Sequence, residues 1–195
     1  MNLVLRTCVP ALIGSALLAG SGLAGSGLAG GKGTVVTIGK LKSTAPADWK
    51  EQEIPKMLQK FRVHQFQVPQ APDDKDKVEF YISFLQGAGG GASENIKRWK
   101  DMFDAPEGKT LDEAAKVQTI KAGGAELTYL DIQGTYKSRF PPFDPMGKIV
   151  RKPGYRMLGV YFPTDDGPYF IRMTGPARSI ELNRKAFEEW IKAFK

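Results

Sequence analysis

The stretch YRMLGVYFPTDDGPYFIRMT, residues 155–174, places two apolar and aromatic runs on either side of a short polar connection. Residues 155–162 and 169–174 are rich in the aliphatic and aromatic side chains that are typical of strands. Between them, Asp165-Asp166-Gly167 supplies residue types that form tight turns. The pattern predicts a β-hairpin, and with it an antiparallel sheet.

Other strands follow from patterns of the same kind. Apolar and polar residues alternate most regularly in residues 78–85, and Gly123-Gly124 separates two further runs as the turn of a second hairpin. The predicted strands outside the first hairpin therefore lie within residues 57–68 and at residues 78–85, 115–121 and 126–132.

Two segments have the periodicity of helices. From Ser93 to about Ala105 the apolar residues recur at helical spacing, and the C-terminal segment from Ala177 to Phe194 carries one apolar stripe. Few helices and many hairpins predict an α+β fold, in which an antiparallel β-sheet is flanked by two main helices.

The order of these motifs resembles that of a group of uncharacterised exported bacterial proteins, and it is similar to the PsbP-like fold. The resemblance rests on the strand Val78–Leu85, the segment Ser93–Trp99 after a glycine-rich turn, Leu130–Tyr136, and Tyr169–Pro176 before the last helix. It covers most of the chain from residue 46 to residue 194. It implies an α/β/α sandwich and an accessory or assembly role, and it brings no catalytic residues with it.

The first 29 residues have the layout of a secretory signal peptide. A short start that ends at Arg6 precedes an uncharged stretch, which turns into two copies of SGLAG. This repeat predicts cleavage after Ala24 or Ala29 and a single domain over residues 30–195. A retained membrane anchor is the alternative, but glycine and serine dilute the second half of the roughly 20 apolar residues that a span requires. We therefore expect an exported protein, periplasmic or secreted.

Composition narrows the possible functions. The only cysteine, Cys8, lies in the predicted leader, so the cleaved chain would have no thiol nucleophile and no disulfide. The full chain has a net charge of +7, and loss of Arg6 with the leader leaves 27 Lys and Arg against 21 Asp and Glu, that is +6. This positive charge favours anionic partners, while export argues against genomic nucleic acid. We expect no membrane span in the mature chain.

The segment from residue 136 to residue 156 combines basic and aromatic residues with four prolines. We interpret residues 137–154 as a long irregular loop, which is uncommon unless it is functional or disordered. One interpretation is a solvated connection that the prolines stiffen; the other is a binding site for an anionic polymer, an envelope protein or a membrane surface. We favour binding, with the candidate residues Lys137, Arg139, Phe140, Phe143, Lys148, Arg151, Lys152 and Arg156.

A glycine-rich turn before the first predicted helix is a weaker candidate for anion binding. Backbone N–H groups at a helix N-terminus can hold an anion, and the residues concerned are Gly89, Gly90, Gly91, Ser93 and Asn95. The alternative is a plain strand-to-helix turn with Ser93 as its cap. The turn lacks the remaining residues of a phosphate-binding loop, and Glu94 would oppose an anion.

Candidates for catalysis and metal binding are few. His64 is the only histidine and lies in a predicted strand as a polar surface residue. Metal-ligand spacing is absent, so we expect neither a metal nor a cofactor. Asp131, near Glu126, is either one of a catalytic carboxylate pair or a buried residue that caps a turn or pairs with an arginine such as Arg172.

These observations predict an exported, non-enzymatic binding or assembly-accessory domain that contacts an anionic or protein partner through its basic-aromatic loop. The alternative is a cell-envelope hydrolase that uses carboxylates. A deep cleft with two facing acids would favour the hydrolase. A basic face from which Phe140 and Phe143 project would favour the binding domain.

Overall fold

Most strands of the chain join one antiparallel sheet. The computed structural model describes residues 32–87, 89–140, 144 and 146–195. Its strands are β1 (Val35–Ile38), β2 (Leu41–Thr44), β3 (Lys50–Glu51), β4 (Arg62–Gln67), β5 (Glu79–Phe84), β6 (Phe103–Asp104), β7 (Ala115–Ala122), β8 (Ala125–Phe140), β9 (Lys148–Phe162) and β10 (Tyr169–Pro176). Its helices are α1 (Ala92–Lys100), α2 (Leu111–Ala114) and α3 (Ala177–Lys192), with a 3-10 turn at Lys56–Leu58.

The sheet has eight strands in the order β3-β4-β5-β10-β9-β8-β6, and β7 also pairs with β8; β1 and β2 form a separate two-stranded sheet. Both predicted hairpins are confirmed. Strands β9 and β10 pair antiparallel with Phe162 opposite Tyr169, and β7 and β8 pair with Ala122 opposite Ala125. Between β7 and β8, Gly123 has a φ of 57° and Gly124 a φ of 76°, which glycine adopts without steric cost.

The sheet lies between two helices, which confirms the predicted α+β class. On one face α3 buries its apolar stripe, including Phe187 and Trp190, against β5, β9 and β10. On the other face α1 packs Trp99 onto Gly159 of β9. A Cβ atom at position 159 would lie 2.7 Å from the ring of Trp99, so only glycine allows this approach.

The prediction that the first helix continues to about Ala105 is wrong. The helix ends at Lys100, and Phe103 is fully buried in β6, where it pairs with Tyr136 of β8. Tertiary packing of one aromatic side chain therefore overrides the helical spacing.

The prediction of an irregular loop over residues 137–154 is also wrong. Strands β8 and β9 continue to pair as far as Phe140 and Lys148 and form an arm. We define this basic arm as residues 137–140 and 148–152. Pro153 and Gly154 fall at a bulge between the pairs Gly134–Tyr155 and Tyr136–Lys152, where a missing N–H does not break the ladder.

The predicted leader, with its cleavage sites Ala24 and Ala29 and with Cys8, lies outside the described residues, and so does Phe143. Among the residues that are described, no helix combines the length and the apolar character needed to cross a membrane.

Candidate functional site

A cleft of about 580 Å³ opens on the α1 side of the sheet, between the end of α1 and the basic arm. We call it the basic cleft. Its lining residues are Arg62, Lys77, Glu79, Tyr81, Arg98, Asp101, Met102, Tyr136, Lys137, Ser138, Arg139, Ile149, Lys152, Tyr155, Arg172 and Thr174.

Strand pairing determines which side chains form the floor of the cleft. Arg172 of β10 lies directly opposite Tyr81 of β5, and Thr174 lies opposite Glu79. Side chains two residues apart on a strand point to the same face, so Arg172 and Thr174 face the cleft together while Met173 enters the core beneath α3.

Positive charge dominates the lining. Three of its seven cations have carboxylate partners: Arg62 binds Glu79, Lys137 binds Asp104 and Lys152 binds Asp76. The other four form no ion pair with any described residue; these are Lys77, Arg98, Arg139 and Arg172. The cleft therefore holds a surplus of unpaired positive charge.

The two acidic residues of the lining each form an ion pair with a nearby cation. Glu79 accepts a hydrogen bond of 2.5 Å from Arg62, and Asp101 forms an ion pair of 2.6 Å with Lys97. Each carboxylate is thus neutralised by its own cation.

Tyrosine rings contribute the apolar part of the surface. The guanidinium of Arg62 lies 3.9 Å from the ring centroid of Tyr81, and that of Arg172 lies 5.2 Å from it. The rings of Tyr136 and Tyr155 stack with their centroids 5.8 Å apart. Burial raises the pKa of Tyr81 and that of Tyr136, so both phenols remain neutral at physiological pH.

One edge of the cleft is closed by a hydrogen-bonded group from the β4–β5 connection. Asp76 accepts hydrogen bonds from the hydroxyl of Tyr155 and, at 3.0 Å, from Lys152. These bonds, that of Tyr155 first, hold the pKa of Asp76 below its usual value. These hydrogen bonds therefore link Lys152 and Tyr155, at the start of the basic arm, to the connection between β4 and β5.

The structure brings together only some of the predicted binding residues. Lys137, Arg139 and Lys152 line the basic cleft. Phe140 and Lys148 are exposed on the arm beyond it. Arg151 also lies on the arm, where it shares Asp104 with Lys137.

Arg156 does not belong to this group. It lies beside α3, where its Nε and Nη2 donate to the two carboxylate oxygens of Asp131 at 2.7 and 2.6 Å, and its Nη1 donates to Glu181 at 2.5 Å. The arginine partner of Asp131 is therefore Arg156, and the suggestion of Arg172 is wrong. Alternation along β9 points Arg156 away from the cleft, which Tyr155 faces.

The glycine turn has its polar groups directed inward. Asn95 is fully buried, and its side-chain amide donates to the carbonyl oxygens of Gly89 and Gly91 at 2.6 and 2.8 Å. The N-cap of α1 is Gly91, without a side-chain cap, so Ser93 is not the capping residue. The carboxylate of Glu94 lies against Gly91 and opposes an anion there.

His64 lies on the sheet surface, where its Nδ1 is 2.6 Å from Glu51 and its Nε2 is 3.3 Å from the carbonyl oxygen of Thr37. Within residues 32–87, 89–140, 144 and 146–195, no cluster of three or more His, Cys, Asp or Glu side chains could hold a metal ion.

Sequence reasoning missed Arg62, Lys77, Arg98 and Arg172 because they come from four separate segments. One signal was present for Arg172. It is the only charged residue in the strand YFIRMTGP, and a cation between buried apolar neighbours needs a partner or a function.

Comparison with known proteins gives a likeness of fold only. No family model and no curated protein matches the chain. The solution structure of a cyanobacterial PsbP from Synechocystis is similar with a TM-score of 0.46 and 13% identity, over 89% of this chain and 98% of that one. A Pseudomonas aeruginosa protein of unknown function is similar with a TM-score of 0.39 and 14% identity, over 82% of this chain and 93% of that one. The first of these is in line with the PsbP-like resemblance stated from the sequence.

Proposed function

We propose that this chain is an exported, non-enzymatic binding domain that holds an anionic, chain-like partner in the basic cleft and along the basic arm. One observation carries the proposal: four cations of the cleft have no carboxylate partner among the described residues. Unpaired cations that line one concavity attract anions and raise their local concentration. A concave site suits an extended polymer or a protruding acidic segment better than a flat bilayer.

The exposed residues of the arm support a contact role. Phe140 is 68% exposed, and Ile149 and Val150 are exposed beside it. Large apolar side chains that remain exposed near cations are typical of binding surfaces.

The hydrolase alternative has less support. Its candidate Asp131 is held at both carboxylate oxygens by Arg156, and the two acids of the cleft are each bound by a cation. A general acid or base needs a carboxyl group that is free to exchange a proton with the substrate.

The test is binding of a polyuronate, a linear polymer of carboxylate-bearing sugars, to the wild type and to the double variant Arg139→Glu/Lys148→Glu. Both residues are exposed and form no ion pair with a described residue, so the reversal breaks no salt bridge there; it removes one hydrogen bond, from Arg139 Nη1 to the carbonyl oxygen of Gly147. Loss of two charge contacts of about 0.7 kcal/mol each predicts at least about a tenfold weaker affinity.

The matched control is Lys56→Glu/Lys109→Glu, which changes the net charge equally at two exposed lysines outside the cleft and the arm. Unchanged binding by the control supports the proposal. An equal loss in both variants, no loss in either, or binding to anionic phospholipid vesicles alone would contradict it.

Export has its own test, N-terminal sequencing of the protein recovered from the envelope of its host. A first residue directly after Ala24 or Ala29 supports export. A first residue at Met1 contradicts it.

A further inference from the structure

Two polar atoms on the floor of the basic cleft have no hydrogen-bond partner in the part of the chain that the structure describes. Among the described residues, three buried side-chain polar atoms lack one: Arg172 Nε, Thr174 Oγ1 and Trp190 Nε1. Arg172 and Thr174 both line the cleft, and Thr174 is only 3% exposed. Buried polar groups are almost always hydrogen-bonded, so a pair of exceptions in one cleft indicates a missing partner.

One edge of the Arg172 guanidinium lacks a hydrogen-bond partner in the described part of the chain. Its Nη1 lies 3.4 Å from the thioether sulfur of Met102, which is a weak acceptor. Among the described residues, its Nε has no hydrogen-bond partner and its Nη2 takes part in no hydrogen bond. The edge formed by Nε and Nη2 is the one that holds two oxygens of a single carboxylate or phosphate side by side.

The chain itself contains an occupied example of this geometry. Arg156 uses Nε and Nη2 to bind the two oxygens of Asp131 at 2.7 and 2.6 Å. Arg172 offers the same edge, but no carboxylate of the described chain fills it. Glu79, which lies opposite Thr174 in the sheet, is bound by Arg62 instead.

We infer that the floor of the basic cleft is a site for one oxyanion group, a carboxylate or a phosphate, which binds side-on to Nε and Nη2 of Arg172 with the hydroxyl of Thr174 as a further donor. The inference rests on the proposed function, because it names the group by which the anionic partner is recognised. The volume of about 580 Å³ is in the range of small-molecule sites, so the oxyanion enters on a small molecule or on one residue of a chain.

The experiment is a titration of the full chain with sodium phosphate and, separately, with sodium acetate at constant ionic strength. The readout is the ¹⁵N–¹H resonance of each arginine Nε, assigned through single substitutions. Arg156 serves as the internal control, because Asp131 already occupies its edge. We expect a saturable shift of the Arg172 resonance and little shift of the Arg156 resonance. The oxyanion that saturates at the lower concentration identifies the group as phosphate or carboxylate.

Two charge-conserving variants complete the test. Arg172→Lys keeps the charge but loses the planar edge, and it should weaken oxyanion binding at least about tenfold. Arg139→Lys, at the rim, should change it less than about twofold. Equal effects in the two variants, an unsaturable shift, or equal shifts of Arg172 and Arg156 would overturn the inference.

The oxyanion site at Arg172 and the proposed function can be refuted independently of each other. If the polyuronate binds and Arg172→Lys binds it as well as the wild type does, the oxyanion site is wrong and the proposed function stands. If the oxyanion saturates Arg172 but the polyuronate does not bind, the proposed function is wrong.

Discussion

Removing one partner of the ion pair between Asp131 and Arg156 should destabilise this fold more than breaking an exposed pair, because it leaves the other charge largely buried. Its two side chains are each 16% exposed, and two charge-assisted hydrogen bonds join them. Removing one partner of a fully buried pair costs about 3–5 kcal/mol. Because Glu181 would remain bound to Arg156, we expect Asp131→Asn to lower the free energy of unfolding by about 2–3 kcal/mol.

The assay is urea denaturation of Asp131→Asn, Arg156→Gln and the double variant. The double-mutant cycle should give a coupling energy of about 2 kcal/mol, and Asp131→Asn should lower the melting temperature by about 8 °C. The hydrogen bonds of Asp131 raise the pKa of Arg156, so the arginine is charged throughout the accessible pH range.

An exposed pair provides the control for this cycle. Lys121 and Glu126 lie 3.7 Å apart with side chains 84% and 70% exposed, and their coupling should stay below about 0.5 kcal/mol. A coupling below about 0.5 kcal/mol for Asp131 and Arg156 as well would mean that this pair contributes no more than an exposed one.

Three further changes test other parts of the fold. Gly159→Ala should destabilise the chain by about 1–3 kcal/mol in urea denaturation, because the new methyl group meets the rigid ring of Trp99; an unchanged midpoint would contradict this packing. Thr174→Val should raise the free energy of unfolding of the unliganded chain by about 1 kcal/mol, because it removes a buried hydroxyl without a partner, whereas a loss would mean that the hydroxyl is bonded. The pKa of Glu181 lies at about 2, below its ordinary value of 4.5, because Arg184 first and Arg156 second hydrogen-bond its carboxylate. The stabilisation that ionised Glu181 provides is complete above pH 4.5 and is lost as the pH falls towards 2. Glu181→Gln should therefore have a lower free energy of unfolding than the wild type at neutral pH, and the difference should disappear in acid. A difference that persists in acid would contradict this prediction.

The sequence predicts a strand or helix well where the spacing of its apolar residues reflects a single buried face. The alternation in β5 and the apolar stripe of α3 predict their elements, because each has one buried face. The basic arm has no such signal. Its strands extend beyond their neighbours and expose both faces, so alternation disappears and the prolines suggest a loop.

Only part of the candidate site could be predicted from the sequence. A cluster of basic residues in one segment is visible along the chain, and this identified Lys137, Arg139 and Lys152. The floor of the cleft depends on strand order. Strand β10 lies beside β5 although 84 residues separate Phe84 from Tyr169, and neither the pattern nor the composition of the sequence indicates this pairing. Only that pairing brings Arg172 next to Tyr81.

A photo-crosslinking experiment tests whether the basic cleft is the contact surface for an anionic partner. A benzophenone side chain replaces Ile149, which lines the cleft and is 41% exposed, or Leu182, which is 57% exposed on α3 on the opposite side of the sheet. Each chain is irradiated in the envelope of its host. We predict an adduct from position 149 that Arg139→Glu/Lys148→Glu abolishes, and none from position 182. The same adduct from both positions, or an adduct at 149 that survives the charge reversal, would contradict the claim.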